Sequence, residues 1–240
     1  MAQTVVLLHG FAGTRHGWDL VGDRLDRERY RPLALDLRGH GEAREKRPVT
    51  FAECAADVAA AAPEHFALCG YSLGGRIALH VALAHPERVE RLVLVASTAG
   101  IEDPALRAER RAADEELAVD IERGTPEAFA ERWMREPLFA GTPPEAARRW
   151  RDDLLRNDPA CLAAVLRGVG AGAMEPLWDR LGELGMPATI IAGERDGRYA
   201  VIGRRLAAAL PDARLLVVPG AGHGLPREAP QAVAAAIASP

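Results

Sequence analysis

Six short runs of aliphatic and β-branched residues punctuate the chain: TVVLL (4–8), RPLAL (31–35), FALCG (66–70), RLVLVA (91–96), ATIIA (188–192) and RLLVV (214–218). Within each run apolar residues follow one another with little polar alternation, the pattern of strands covered on both faces. Between them lie stretches of helical periodicity, for example 18–27, 52–61, 73–85 and 201–210. Strand and helix in this alternation predict an α/β fold, a mainly parallel six-stranded sheet with helices on both sides.

The rhythm breaks once. About ninety residues separate the fourth and fifth runs, whereas one crossover helix takes about 10–15. This stretch reads as amphipathic helices divided by glycine and proline signals: RGTPEA at 123–128, GTPPEA at 141–146 and NDP at 157–159. It predicts an insertion of about four helices, residues 99–181, packed as a lid on a core of residues 1–98 and 182–240.

Ligands of an open parallel sheet bind beyond the carboxyl ends of its strands. The first run is followed by HGFAG, the third by GYSLGG, the fifth by GERDGRY and the sixth by PGAGHG. A glycine-rich turn, a serine, an acid and a histidine therefore converge on one edge. Ser72 sits in a Gly-x-Ser-x-Gly pattern between a strand and a helix, where Gly70 and Gly74 leave room for a tight turn that lifts a nucleophilic hydroxyl. The competing reading is a turn without chemistry. The chain holds only three serines, Ser72, Ser97 and Ser239, so a chance match is less frequent than in a serine-rich protein.

A serine nucleophile needs a base, and the base needs a carboxylate to orient it. His223, after the last strand, suits the base best among seven histidines. His9 is the rival, in a turn where its usual role is structural; His65, His80 and His85 fall on helix surfaces or ends, and His16 and His40 in loops. Asp196 suits the orienting acid, with Glu194 a close rival, because Asp196 falls past the strand end where the loop can turn toward His223. The backbone N–H groups of Phe11 and of Leu73, at a helix N-terminus, are the candidate oxyanion hole.

Composition narrows the partners. Hydrophobic residues make up 48% and charged residues 27% of 240 residues, a balance that can bury a sizeable core. The net charge of −4 gives no reason to expect nucleic acid or an anionic membrane as partner. Lys46 is the single lysine, so the abundance of arginine carries no message and only the placement of particular arginines does. Cys54, Cys69 and Cys161 lack metal-ligand spacing and read as reduced core thiols. No metal or organic cofactor is called for. The N-terminus lacks a basic segment and no apolar run approaches the ~18 residues of a membrane span, so a cytoplasmic protein acting on a small molecule is expected. Nothing in the chain specifies an oligomeric state.

With the order Ser, Asp, His in place, the chain resembles the α/β-hydrolase superfamily over essentially its full length. It opens directly on the strand carrying LLHG, so the N-terminal antiparallel strands common in that superfamily are expected to be missing or reduced. More narrowly, it is similar to the 2-succinyl-6-hydroxy-2,4-cyclohexadiene-1-carboxylate synthases, α/β-hydrolase-fold lyases of menaquinone biosynthesis. The residues that carry this are GYSLGGR (70–76), RAERRAAD (107–114), FAERWMREPLFA (129–140), LLRNDPACLAAVLRGVGAG (154–172), LW (177–178) and GERDGRY (193–199). Arg198 stands where that family usually has lysine. The resemblance implies a triad acting as a base: His223, held by Asp196, deprotonates Ser72, which takes a ring proton while pyruvate is eliminated from a polycarboxylated cyclohexene. The alternative is a carboxylesterase or lactonase working through an acyl-serine, and a noncatalytic binding protein is the third reading.

The family's substrate carries three carboxylates, groups that bidentate guanidinium binds well. Arg76, four residues after Ser72, shares a helix face with it, and a buried arginine there needs an anion, either substrate or a protein carboxylate. Arg110 and Arg156 correspond to lid arginines that bind substrate in the family, with Arg107, Arg111 and Arg149 as competitors. Trp133 is a candidate cover for the substrate ring, although a tryptophan on an amphipathic helix more often anchors a core, and Tyr71 is a candidate lining residue. Arg76, Arg110 and Arg156 are expected to point into one cavity above Ser72.

Overall fold

The structure, a computed structural model, describes residues 2–239. Six strands, β1 (Gln3–Leu8), β2 (Tyr30–Leu35), β3 (Phe66–Tyr71), β4 (Val89–Val95), β5 (Ala188–Gly193) and β6 (Ala213–Val218), form one sheet in the order β2-β1-β3-β4-β5-β6. Every pairing is parallel. The six apolar runs thus all become strands. The inner strands β3 and β5 are buried along their whole length, whereas the edge strands β2 and β6, each with a single neighbour, are partly exposed. Pro32 falls on the edge strand β2, where a missing N–H is tolerated.

The helices are α1 (Asp19–Gly22), α2 (Phe51–Ala61), α3 (Leu73–Ala84), α4 (Pro104–Arg123), α5 (Pro126–Trp133), α6 (Pro144–Leu154), α7 (Pro159–Val169), α8 (Gly197–Ala209), α9 (Leu225–Glu228) and α10 (Pro230–Ala238). The helix expected over 18–27 is shorter than its periodicity suggests. It ends at Gly22, and beyond it Asp26 bonds the Glu28 N–H instead of leaving the backbone free for helix. Helices α4 to α7 lie between β4 and β5, and each starts on a proline. Asp103, Thr125 and Asp158 cap three of these starts with side-chain oxygens, so the TP and DP pairs in the sequence are helix beginnings as well as breaks.

Apolar packing forms three clusters. One lies between the sheet and α2, α3 and the 3-10 turn Trp178–Glu183, and a second on the opposite face with Trp18, Val233 and Ile237. The third joins Ile121, Phe129, Leu154 and Leu162 of the insertion to Ala12 of the β1–α1 loop. Cys54, Cys69 and Cys161 are free and buried. No helix among the described residues is long and apolar enough to cross a membrane.

Leu79 of α3 is fully buried against the sheet. Leu79→Ala is expected to lower unfolding free energy by about 2–5 kcal/mol, read as a reduced urea midpoint with an unchanged slope.

Candidate active site

Chain order reverses in the sheet between β1 and β3, and the loops leaving those two strands carry Phe11 and Ser72. The turn from β3 into α3 is tight because two glycines let backbones touch. A Cβ on Gly74 would collide with the carbonyl of Leu8, and one on Gly70 with the carbonyl of Gly74. Ser72, between them, is held at φ 51° and ψ −109°, a strained conformation for a residue with a side chain. The Ser97 hydroxyl donates to the Ser72 carbonyl at 2.9 Å and steadies the turn.

His223 Nε2 lies 3.3 Å from Ser72 Oγ, and His223 Nδ1 lies 2.6 Å from Asp196 Oδ2. With Nδ1–H donating to the carboxylate, Nε2 is free to accept the serine proton. Asp196 also caps α8, its Oδ1 accepting the Tyr199 N–H at 3.3 Å, so the helix start fixes the carboxylate. Glu194 points elsewhere: it accepts the Gly220 N–H at 2.9 Å and holds a turn. The His223 ring is flanked by Tyr199 and Tyr71, at centroid distances of 4.6 and 5.3 Å.

His9 and His40 are scaffolding. His9 donates to Gly10 O and accepts the Leu37 N–H; His40 donates to Arg38 O and accepts the Ala12 N–H at 3.1 Å. Both hold the loop that carries Phe11. Burial pushes both imidazoles below their ordinary value, His40 the further, with the neighbouring His9 adding to its shift. The Phe11 N–H has no acceptor among the described residues, and the Leu73 N–H opens α3 with no intrahelical partner.

Above Ser72 lies a cavity of about 680 Å³, walled by α3, α4, α5, the end of α7 and the start of α8. Phe11, Ser72, Leu73, Arg76, Arg110 and Trp133 all line it. Arg76 is 8% exposed and donates to Val169 O at 2.9 Å, with no carboxylate partner among the described residues. Burial is the main reason its guanidinium is pushed down to about 10, and it stays charged at neutral pH. Arg110 is half-buried, with Nε bonded at 2.8 Å to the buried Asp114. The Trp133 indole packs edge-on against Phe11 at 5.2 Å, and its N–H is buried without a partner.

Two expected lining residues are placed otherwise. Arg156 is exposed and lines a separate pocket of about 150 Å³ with His16, Arg149 and Asp152. The turn ending α6 sends the next residue, Asn157, inward, where it donates to Ala12 O at 2.9 Å and accepts the Gly41 N–H at 3.0 Å. Consecutive residues of a helical turn point about 100° apart, so Arg156 faces away. Tyr71 is buried under the site against Trp150 and does not line the large cavity. Arg107, Arg111 and Arg149 are also absent from the cavity wall, while Arg132 and Arg198 belong to it. A further element not visible in the sequence is Asp153, buried in α6, which accepts from Thr14 and, at 2.7 Å, from Arg227. Among the described residues no group of three or more His, Cys, Asp or Glu side chains is placed to hold a metal ion.

Comparison with known proteins gives the family and the fold. The profile of the Alpha/beta hydrolase family matches residues 5–236. A putative 2-succinyl-6-hydroxy-2,4-cyclohexadiene-1-carboxylate synthase of Bacillus subtilis is 35% identical, across 96% of this chain and 87% of its own. The 2-succinyl-6-hydroxy-2,4-cyclohexadiene-1-carboxylate synthase of Enterobacter sp. is 32% identical, across 98% and 90%. The solved structure of MenH from S. aureus superposes with a TM-score of 0.89 at 28% identity, covering 98% of this chain and 92% of that one.

Glycine relieves the strain at position 72 and alanine does not. Ser72→Gly is therefore expected to be more stable than Ser72→Ala by about 1–2 kcal/mol in urea denaturation, with both inactive.

The buried histidines set an acid limit. Their folded-state pKa values lie below the 6.5 of the unfolded chain, so the unfolded state takes up protons first. Stability is fully present above pH 6.5 and falls below it, by up to ~1.4 kcal/mol per pH unit for each histidine. Melting temperature against pH checks this, and His40→Gln is expected to flatten the acid limb.

Proposed function

We propose, because the chain belongs to the Alpha/beta hydrolase family, that Ser72, His223 and Asp196 act as a base relay in a carbon–oxygen lyase. The reaction forms 2-succinyl-6-hydroxy-2,4-cyclohexadiene-1-carboxylate in menaquinone biosynthesis, as in the named relatives, with pyruvate as the second product. His223 takes the Ser72 proton and Ser72 removes a ring proton. The C–H electron pair moves onto the succinyl carbonyl as an enolate and then into the ring as the new double bond; the C–O bond breaks, the three-carbon group leaves as an enolate, and it takes the proton held by His223 to become pyruvate. The N–H groups of Phe11 and Leu73 hold the negative charge that builds on the succinyl carbonyl, as they would hold a tetrahedral oxyanion. We take residues 99–181 as a lid over a core of 1–98 and 182–240, acting in the cytoplasm.

The observation that carries this reading is Arg76. A buried guanidinium with one carbonyl acceptor and no carboxylate is costly unless an anion joins it. It stands in the same cavity as the serine, together with Arg110. An anionic substrate satisfies it, whereas a neutral ester leaves its remaining donors unpaired. Trp133 supplies an apolar cover for the ring and one unpartnered N–H. Support from the lid is narrower than the sequence suggests, since Arg156 lies outside this cavity.

Wild type given the cyclohexene intermediate is expected to release pyruvate, and Ser72→Ala to lose that activity. Arg76→Met is expected to lower kcat/KM for the intermediate about 10–150-fold, the worth of one charge-assisted hydrogen bond, with a smaller effect on a neutral aryl ester. Fast aryl-ester turnover by wild type without pyruvate release would overturn the lyase reading in favour of an esterase.

A further inference from the structure

Glu228 belongs to neither the triad nor the cavity wall, yet its side chain is only 2% exposed and accepts four hydrogen bonds. Oε2 accepts the Gly222 N–H at 2.7 Å and Oε1 the Gly224 N–H at 3.1 Å. These are the amides on either side of His223. The other two donors come from different parts of the fold: Arg195 Nη2 at 2.8 Å and the Thr142 hydroxyl at 3.3 Å. Arg195, the residue before Asp196, reaches further. Its Nε donates to Gly220 O at 2.9 Å, and its Nη1 donates to Gly141 O at 2.8 Å and Ala140 O at 3.3 Å. One ion pair thus touches the loop of the acid, the loop of the base and the stretch leading into α6.

We propose that Glu228 is a positioning residue for His223, and that Arg195 carries its hold across to the insertion at Ala140–Thr142. A histidine between two glycines has little local rigidity of its own, since glycine backbone is the least restricted. Neither flanking amide has another acceptor among the described residues, so the carboxylate holds the N–H side of the loop, whose carbonyls at Ala221, His223 and Gly224 accept backbone bonds. An ionised carboxylate is acceptor-only and matches four converging donors. A glutamine of the same size turns one oxygen into a donor that faces N–H groups. The imidazole must stay aimed at Ser72 Oγ while Asp196 holds its other nitrogen, and displacements of about 1 Å in such an arrangement cost on the order of 100-fold in rate. Arg195 makes the same carboxylate sensitive to where Ala140 and Gly141 lie, so the insertion and the base move together.

The proposal rests on His223 being the base, and the experiment separates the two. Pyruvate release and the rate of Ser72 labelling by a fluorophosphonate probe are measured for wild type, His223→Ala, Glu228→Gln, Arg195→Met and Thr142→Val, with folding checked by circular dichroism. Glu228→Gln is expected to lower kcat and the labelling rate together, about 10–100-fold, with KM within about twofold of wild type. Thr142→Val is expected to lower kcat about fivefold, the worth of one hydrogen bond, and Arg195→Met, which loses four, by more than that; the two decide the matter if Glu228→Gln does not fold. A folded Glu228→Gln with lowered melting temperature but wild-type kcat and labelling overturns the proposal and leaves the carboxylate a structural staple. Wild-type kcat in both Arg195→Met and Thr142→Val overturns the link to the insertion. Activity retained by His223→Ala sinks the base assignment itself.

Discussion

The site depends on one steric fact: α3 begins in backbone contact with the end of β1. A Cβ on Gly74 would strike the Leu8 and His9 carbonyls, so only glycine permits the approach. That contact brings the Leu73 N–H beside the loop of Phe11 and bends the chain until Ser72 reaches φ 51°. Strain of this kind costs about 1–3 kcal/mol. It persists because α3 is anchored by Leu73, Ile77 and Leu79, each almost fully buried, and burying such side chains contributes about 1.5–3 kcal/mol apiece. The core over-determines the turn, and the turn presents the hydroxyl.

Polar contacts divide into those that are satisfied and those that are not. Asp153 receives Thr14 and Arg227, and Asn157 bonds Ala12 and Gly41, so α6 and the residue chain just after it are sewn to the β1 and β2 loops. Removing one partner of such a buried pair strands a charge and costs about 3–5 kcal/mol, which makes this seam well defined. Arg76 is the opposite case. Its burial is offset by one carbonyl and by the Phe51 ring 5.9 Å away, which leaves guanidinium donors for a ligand. Fully paired groups set where the insertion sits, whereas Arg76 keeps donors facing the cavity above Ser72.

Much of this was legible from local pattern. Apolar runs gave all six strands, and GYSLGG between a strand and a helix located Ser72. Asp196 and His223 followed because parallel strands deliver their exit loops to one edge. Arg156 against Asn157 shows the limit. Both lie in one Arg-Asn pair at the end of α6, and an exposed arginine beside an inward asparagine has the same letters as the reverse. The arginine-rich insertion likewise hid Arg132, which lines the cavity, among others that face solvent. His40 lies in a loop, as its sequence context indicates, but its burial did not show there, because burial by distant segments leaves no local periodicity.

The strand and helix succession, the elbow serine and the edge where acid and base meet are local readings, because they follow from period, turn chemistry and the direction of parallel strands. Packing in three dimensions sets which arginines share a cavity with Ser72, that Glu194 braces a turn while Asp196 meets His223, and that Glu228 grips both flanks of that histidine. The physical reason is directional. A side chain's partner is set by where its helix or loop packs in three dimensions, and segments as far apart as Arg195 and Ala140 meet only once the chain has closed around its core.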